Sequence, residues 1–150
     1  MITRIPPLLA GAAAWLLMWL MAQALPALGR AWPWQRPTAF ALMAIGAGVG
    51  IAGVLAFRRA RTTVNPLRPD TASTLVASGI YRHTRNPMYV GVAIATLGWA
   101  VLLGHALAPL GVVAFVLWMD RQQIPAEERA LHALFGAQFE RYCNEVRRWL

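Results

Sequence analysis

The sequence predicts an all-α integral membrane protein with about four transmembrane helices and a C-terminal cytoplasmic amphipathic helix, on three observations. Of its 150 residues, 58% are hydrophobic and 13% charged, a balance too apolar for an ordinary water-soluble domain of this size. The apolar residues fall into three blocks without Asp, Glu or Arg, each matching or exceeding the roughly 20 residues a helix needs to cross a bilayer core. The 14 basic residues outnumber the 6 acidic ones, giving a net charge of +8, and lie almost entirely between and beyond these blocks.

The first block, Ile5 to Leu28, has Gln23 as its one strongly polar side chain. It is longer than the apolar core of a secretory signal, about 7–15 residues, and ends in Leu25-Pro26 instead of small residues, so a retained span is expected over 5–28. Two prolines interrupt Ala31 to Pro37, where Trp32 and Trp34 suit a water-lipid boundary. Thr38 to Phe57 forms the second span, 38–57. Its glycines, Gly46, Gly48, Gly50 and Gly53, permit either close helix packing or close approach of a ligand to the backbone.

The third block, Met88 to Met119, has 32 residues and at about 1.5 Å each would far exceed a 30 Å core. It is expected to fold back near Gly104-His105-Ala106, before Pro109, giving short spans over 88–103 and 107–121. One strongly tilted helix is the competing arrangement. Beyond it, Leu131, Leu134, Phe135, Phe139, Tyr142, Val146 and Trp149 recur at steps of three or four, an amphipathic stripe that bends near Gly136 and lies on the membrane or against the spans. Pro125 suits the first turn of that helix, with Glu127 and Glu128 near the positive end of its dipole.

Every basic residue is arginine, most simply a coding bias and only secondarily a demand for planar guanidinium donors. Six arginines lie between spans two and three, and five follow span four, against Arg30 and Arg36 between spans one and two. The positive-inside rule therefore places the central loop, the tail and the N-terminus with Arg4 in the cytoplasm, as in a multi-pass protein of a prokaryotic inner membrane. A nucleic-acid partner is not expected, because the arginines alternate with long uncharged blocks; anionic lipid headgroups are the expected counter-charge. The lone Cys143 excludes an internal disulfide and a Cys-rich metal centre. No metal site is expected at His83, which has no Cys, His or Glu at ligand spacing. His105 falls in the outer turn, and His132, beside the apolar stripe, is expected to pack.

The hairpin brings two polar segments together, so Arg85, Asn86 and Tyr89 should approach Arg121, Gln123, Glu127 and Glu128. Interfacial anchoring alone would gather similar residues. Leu75-Val-Ala-Ser-Gly-Ile-Tyr-Arg-His-Thr-Arg-Asn-Pro-Met-Tyr-Val-Gly91, followed by Glu127-Glu-Arg-Ala-Leu-His-Ala-Leu-Phe-Gly136 and then Phe139 to Arg148, resembles the isoprenylcysteine carboxyl methyltransferase family and its phospholipid methyltransferase relatives. The likeness covers roughly the last 85–90 residues, with a weaker echo in span two. It implies one membrane methyltransferase domain over 1–150, with S-adenosyl-L-methionine held by cytoplasmic segments 62–87 and 122–150.

The resemblance further implies cofactor contacts from Ser73, Thr74, Leu75, Val76 and Tyr81, from Arg85-Asn86-Pro87-Met88-Tyr89, and from Glu127 and Glu128. The carboxyl methyltransferases have His where Asn86 stands, whereas the phospholipid enzymes have Asn-Pro-Met-Tyr. Ala44-Ile45-Gly46 matches the position of an Ala-Leu-Gly cofactor element in those enzymes. The donor is cationic at sulfur and zwitterionic at its amino-acid end, so a glutamate suits its ammonium, Arg85, Asn86 and backbone N–H groups its carboxylate, and Tyr81 and Tyr89 its sulfonium or adenine. Gln123 stands where the carboxyl methyltransferases place a substrate-binding arginine, and Arg121 is the nearest arginine; these two are the candidate catalytic residues. The replacement leaves a carboxylate, an amine or a thiol open as the acceptor on a hydrophobic, lipid-like molecule. The competing readings are an NADPH-dependent sterol-reductase-like membrane enzyme and a non-enzymatic membrane scaffold. Small-residue helix faces leave the oligomeric state undetermined.

Overall fold

A computed structural model of the chain describes residues 6–60 and 74–150. Ile5, Ser73 and the rest of the expected cofactor segment before Thr74 lie outside the described residues. The helices are α1 (Pro7–Ala24), α2 (Gln35–Arg59), α3 (Pro87–Leu103), α4 (Ala108–Trp118), α5 (Ile124–Phe135) and α6 (Ala137–Glu145). A π turn over Met119–Gln123 runs α4 into α5 without a break. Among the described residues the β geometry amounts to one isolated bridge, Gly29 to His105.

Proline positions explain most helix starts. Residues Pro7, Pro87, Pro109 and Pro125 each fall in a first turn, where the missing N–H would have had no partner. The first helix stops at Ala24, four residues before the expected end of its span. Leu25, which precedes Pro26, leaves the α region at φ −128°, ψ 58°, as clash with the following ring requires. The second helix conversely starts at Gln35, because Pro37 is accommodated in its first turn and does not break it.

The third apolar block is two helices and not one tilted rod. Gly104 ends α3 with φ 58°, a left-handed conformation that side chains with a Cβ resist. The chain between α1 and α2 clasps this turn: Arg30 N donates to Gly104 O at 2.7 Å and Ala106 N to Leu28 O at 3.1 Å. His105 Nε2 donates to Leu25 O at 3.0 Å and Gln35 Nε2 to Leu102 O at 2.9 Å.

Helix α3 is the centre of the bundle, packed on α1, α2 and α4. Its crossing with α2 runs on glycines seven residues apart. A Cβ at Gly46 would stand 2.5 Å from Gly91 O, and one at Gly98 would stand 2.8 Å from Ala39 O. Gly46 and Gly53 thus serve close packing, whereas a Cβ at Gly48 or Gly50 would meet nothing within 4 Å. On the α1 side, Trp15 and Trp99 stack with centroids 5.1 Å apart. Their indoles donate to Thr96 Oγ1 and Trp15 O, both at 3.0 Å.

The outer surface is apolar: Leu8, Leu9, Leu16, Leu17, Ile45, Ile51, Leu110 and Leu117 are all exposed. A helix apolar on every side belongs in a core or in lipid. Helices α1 and α2 are long and apolar enough to cross a membrane, and α3 is a shorter apolar helix. The molecule is an all-α membrane protein.

Candidate active site

At the end of the bundle away from the Gly104 clasp, three segments converge: the turn before α3, the π turn, and residues 142–149. Ser78 and Gly79 lead into a 3-10 turn, Gly79–Arg82, with Gly79 at φ 63°. That turn carries Tyr81 into an apolar cluster with Val76, Phe139, Tyr142 and Val146, edge-on to Phe57 at 5.3 Å. Tyr142 Oη donates to Tyr81 O at 2.8 Å, tying α6 to the turn. Residues 147–148 then lie along the start of α3. Arg85 N donates to Arg147 O at 2.9 Å, while Thr84 Oγ1 and Asn86 Nδ2 both donate to Arg148 O, at 3.2 and 2.9 Å.

Two carboxylates anchor the polar centre. Tyr89 Oη donates to Glu127 Oε1, and Gln123 Nε2 donates to the same oxygen at 2.7 Å. Glu128 faces two guanidiniums, with Arg85 Nη1 at 3.2 Å and Arg148 Nη2 at 2.6 Å. Arg148 Nη1 also reaches Asp120 Oδ1 at 3.1 Å, which Trp149 Nε1 shares at 3.0 Å. A π turn adds a residue to one helical turn and re-phases the helix beyond it. Here Gln123 is buried within it and sits one turn before Glu127.

Burial, then Tyr142 and Glu127, push the Tyr81 hydroxyl far above the ordinary phenol range. It therefore stays a neutral donor at any physiological pH. Burial likewise raises Tyr142, and hydrogen bonding to Glu128 raises Arg148. Burial also raises the Cys143 thiol, an effect that the neighbouring Arg85 guanidinium partly offsets. The thiolate, the reactive form, is accordingly scarce near neutrality. Alkylation of Cys143 by iodoacetamide is expected to be slow at pH 7.5 and still rising at pH 9; a rate that levels off below pH 8 would contradict this.

The structure brings together Tyr89, Gln123, Glu127, Glu128, Arg85 and Asn86, with the last two already engaged in cross-bracing. Other predicted residues fall elsewhere. Arg121 is exposed on the π turn and meets none of these partners. Successive helical residues turn by about 100°, so Pro87 and Met88 face Gly53 of α2 while Tyr89 faces α5. Ala44 and Ile45 are exposed, and Gly46 is closed against α3. Thr74 is exposed, Leu75 half-buried, and the Val76 and Tyr81 side chains are core. His132 does not pack against the apolar stripe: its Nε2 lies 2.7 Å from Glu140 Oε1 across the Gly136 bend, with both side chains more than half exposed.

Asp120 and Trp149 complete the centre although no motif marked them, and Arg148, the last residue of the matched tail segment, joins them. The signal for Asp120 was an acid at the edge of an otherwise uncharged block, which demands a partner. Its partner lies 28 residues away.

Comparison with known proteins identifies the family of the chain. The sequence profile of the phospholipid methyltransferase family matches residues 34–138, a stretch holding α2 to α5 and both glutamates. An uncharacterised protein of Haemophilus influenzae is 43% identical over 63 residues, 42% of this chain and all of that protein. Protein-S-isoprenylcysteine O-methyltransferase A of Arabidopsis thaliana is 31% identical over 124 residues, 81% of this chain and 61% of that enzyme. The protein-S-isoprenylcysteine O-methyltransferase of Schizosaccharomyces pombe is 41% identical over 73 residues, 48% of this chain and 30% of the enzyme. The chain thus spans between 30% and 61% of these two enzymes' lengths. No solved structure matches it. With the profile spanning α2 to α5, the chain belongs to the phospholipid methyltransferase family.

Proposed function

We propose that the protein is an S-adenosyl-L-methionine-dependent methyltransferase whose acceptor is a lipid-like molecule carrying a carboxylate, amine or thiol and reached from the membrane. The observation that carries this reading is the junction of Tyr89 with Glu127 and Gln123, which joins the Asn86-Pro87-Met88-Tyr89 motif to the Glu127-Glu128 motif. In this reading Glu127 receives the donor's ammonium. Glu128, already charge-compensated by Arg85 and Arg148, fixes the floor of the site. Backbone N–H groups around residues 75–81 serve the carboxylate.

When bound, the cofactor supplies an activated methyl group on a sulfonium, which needs little acid-base assistance. The protein's contribution is in-line positioning and exclusion of water. Gln123 acts by orienting Glu127 and Arg121 faces outward, so neither is assigned contact with the reacting atoms. The same reading takes α1 to α4 as four spans in a prokaryotic inner membrane, with the site and both chain ends in the cytoplasm. Isothermal titration of the purified protein with S-adenosyl-L-methionine is expected to give saturable one-site binding. Heat indistinguishable from dilution would overturn the proposal, and tight NADPH binding in its place would favour a reductase.

A further inference from the structure

Between α1 and α2, floored by α3, runs a groove of about 900 Å³. Trp15, Met43 and Ala95 form its deep end, Gly50 and Val92 its middle, and Arg58 its outer end. Leu8, Ile51 and Leu55 on its rim are exposed, so it opens sideways into whatever surrounds the bundle. Among the described residues Arg58 is exposed and no carboxylate is ion-paired with it. Met43 to Leu55 covers about 18 Å of helix, close to the ~15 Å that one leaflet contributes to a bilayer core. An apolar slot one leaflet deep, closed at the interface by a guanidinium with Arg59 beside it, matches one acyl chain under an anionic headgroup.

We infer that this groove is a binding site for an anionic phospholipid, one acyl chain lying over Gly50 towards Trp15 and the headgroup phosphate meeting Arg58. The site rests on the membrane setting and not on methyl transfer, since Arg58 and Gly50 lie outside the polar centre. Gly50 is its built-in test, because a Cβ there meets no atom within 4 Å and a larger side chain would occupy the slot.

Native mass spectrometry of protein released from nanodiscs of equal phosphatidylglycerol and phosphatidylcholine reads the site directly. The expected result is one retained phosphatidylglycerol per chain in preference to phosphatidylcholine. Arg58→Ala should reduce that preference about fivefold, and Gly50→Leu should reduce retention of both lipids. Binding of S-adenosyl-L-methionine by both variants should stay within twofold of wild type, which separates loss of the groove from loss of the fold. If the wild type retains the two lipids equally, or Arg58→Ala keeps the preference, the inference is overturned. If Gly50→Leu disturbs the helix content, Ala47→Phe on the same groove is to be read in its place, with the same expected loss of retention.

Discussion

Replacing Glu127 with alanine is expected to weaken S-adenosyl-L-methionine binding by about 10- to 100-fold, the equivalent of about 1.5–3 kcal/mol for a charge-assisted hydrogen bond. The expectation follows from its place in the centre: Tyr89 and Gln123 hold one of its oxygens from two different elements, so the carboxylate is pre-aimed and loses little freedom on binding. Tyr89→Phe, which removes one of those donors but keeps the ring, should have a smaller effect in the same direction. Arg121→Ala should stay within twofold, because Arg121 is exposed and outside the cluster. Titration calorimetry on the three variants decides the assignment. Equal effects for Glu127→Ala and Arg121→Ala would sink it.

The second large effect is structural. A methyl group at Gly91 would stand 2.5 Å from Gly46 O and 2.7 Å from Gly50 N. Both are backbone atoms of α2 and cannot swing aside, so α2 and α3 must separate along their crossing. Overpacking of this kind costs about 1–3 kcal/mol and more when backbone must move, a fall of about 3–10 °C in the thermal midpoint. Gly48→Ala is the matched control. Its Cβ meets nothing, and replacing a helix-interior glycine gains up to about 1 kcal/mol, so its midpoint should hold or rise. Thermal unfolding in detergent followed by circular dichroism checks the pair, and equal midpoints would refute the close-packing role of Gly91. The expected separation also predicts lost cofactor binding in Gly91→Ala, since Tyr89 stands two residues before it.

The two predictions differ in how far the sequence alone supports them. The glutamate pair was visible as a motif, and its proximity to Tyr89 followed from folding the third block into a hairpin. The glycines were visible too, but their packing role was not separable from a ligand-binding one. Gly46 and Gly48 are two residues apart in one apolar run. Only the phase of α2 against α3 seals the first and leaves the second open. Ala44 and Ile45 are exposed where Gly46 is closed against α3 for the same reason: they share a helix with it but not a face.

Within the motif Arg85-Asn86-Pro87-Met88-Tyr89, adjacency along the chain suggested a common role. The helix starting at Pro87 divides it. Tyr89 turns towards Glu127, Pro87 and Met88 turn towards Gly53, and Asn86 is held on Arg148 O. The approach of Arg85 to Glu128 followed from the hairpin, but the bridging of Glu128 and Asp120 by Arg148 escaped the sequence because Arg148 lies 20 and 28 positions from them. An ion pair leaves no periodic trace in a sequence; a buried helix face does.

The sequence by itself determined the helical class, the approximate course of the apolar helices, the fold-back at Gly104, the bend at Gly136 and the family. Each is written locally, in runs of apolar residues, prolines at first turns, glycines where φ is positive, and contiguous motifs. The tertiary structure decided which glycines touch, which motif residues face the polar centre, that Gln123 and not Arg121 hydrogen-bonds Glu127, and that residues 147–149 bind to the start of α3 and to Asp120. These depend on the rotational phase of one helix against another, which a π turn between Met119 and Gln123 resets. Phase is a property of the packed pair, so no single segment's sequence contains it.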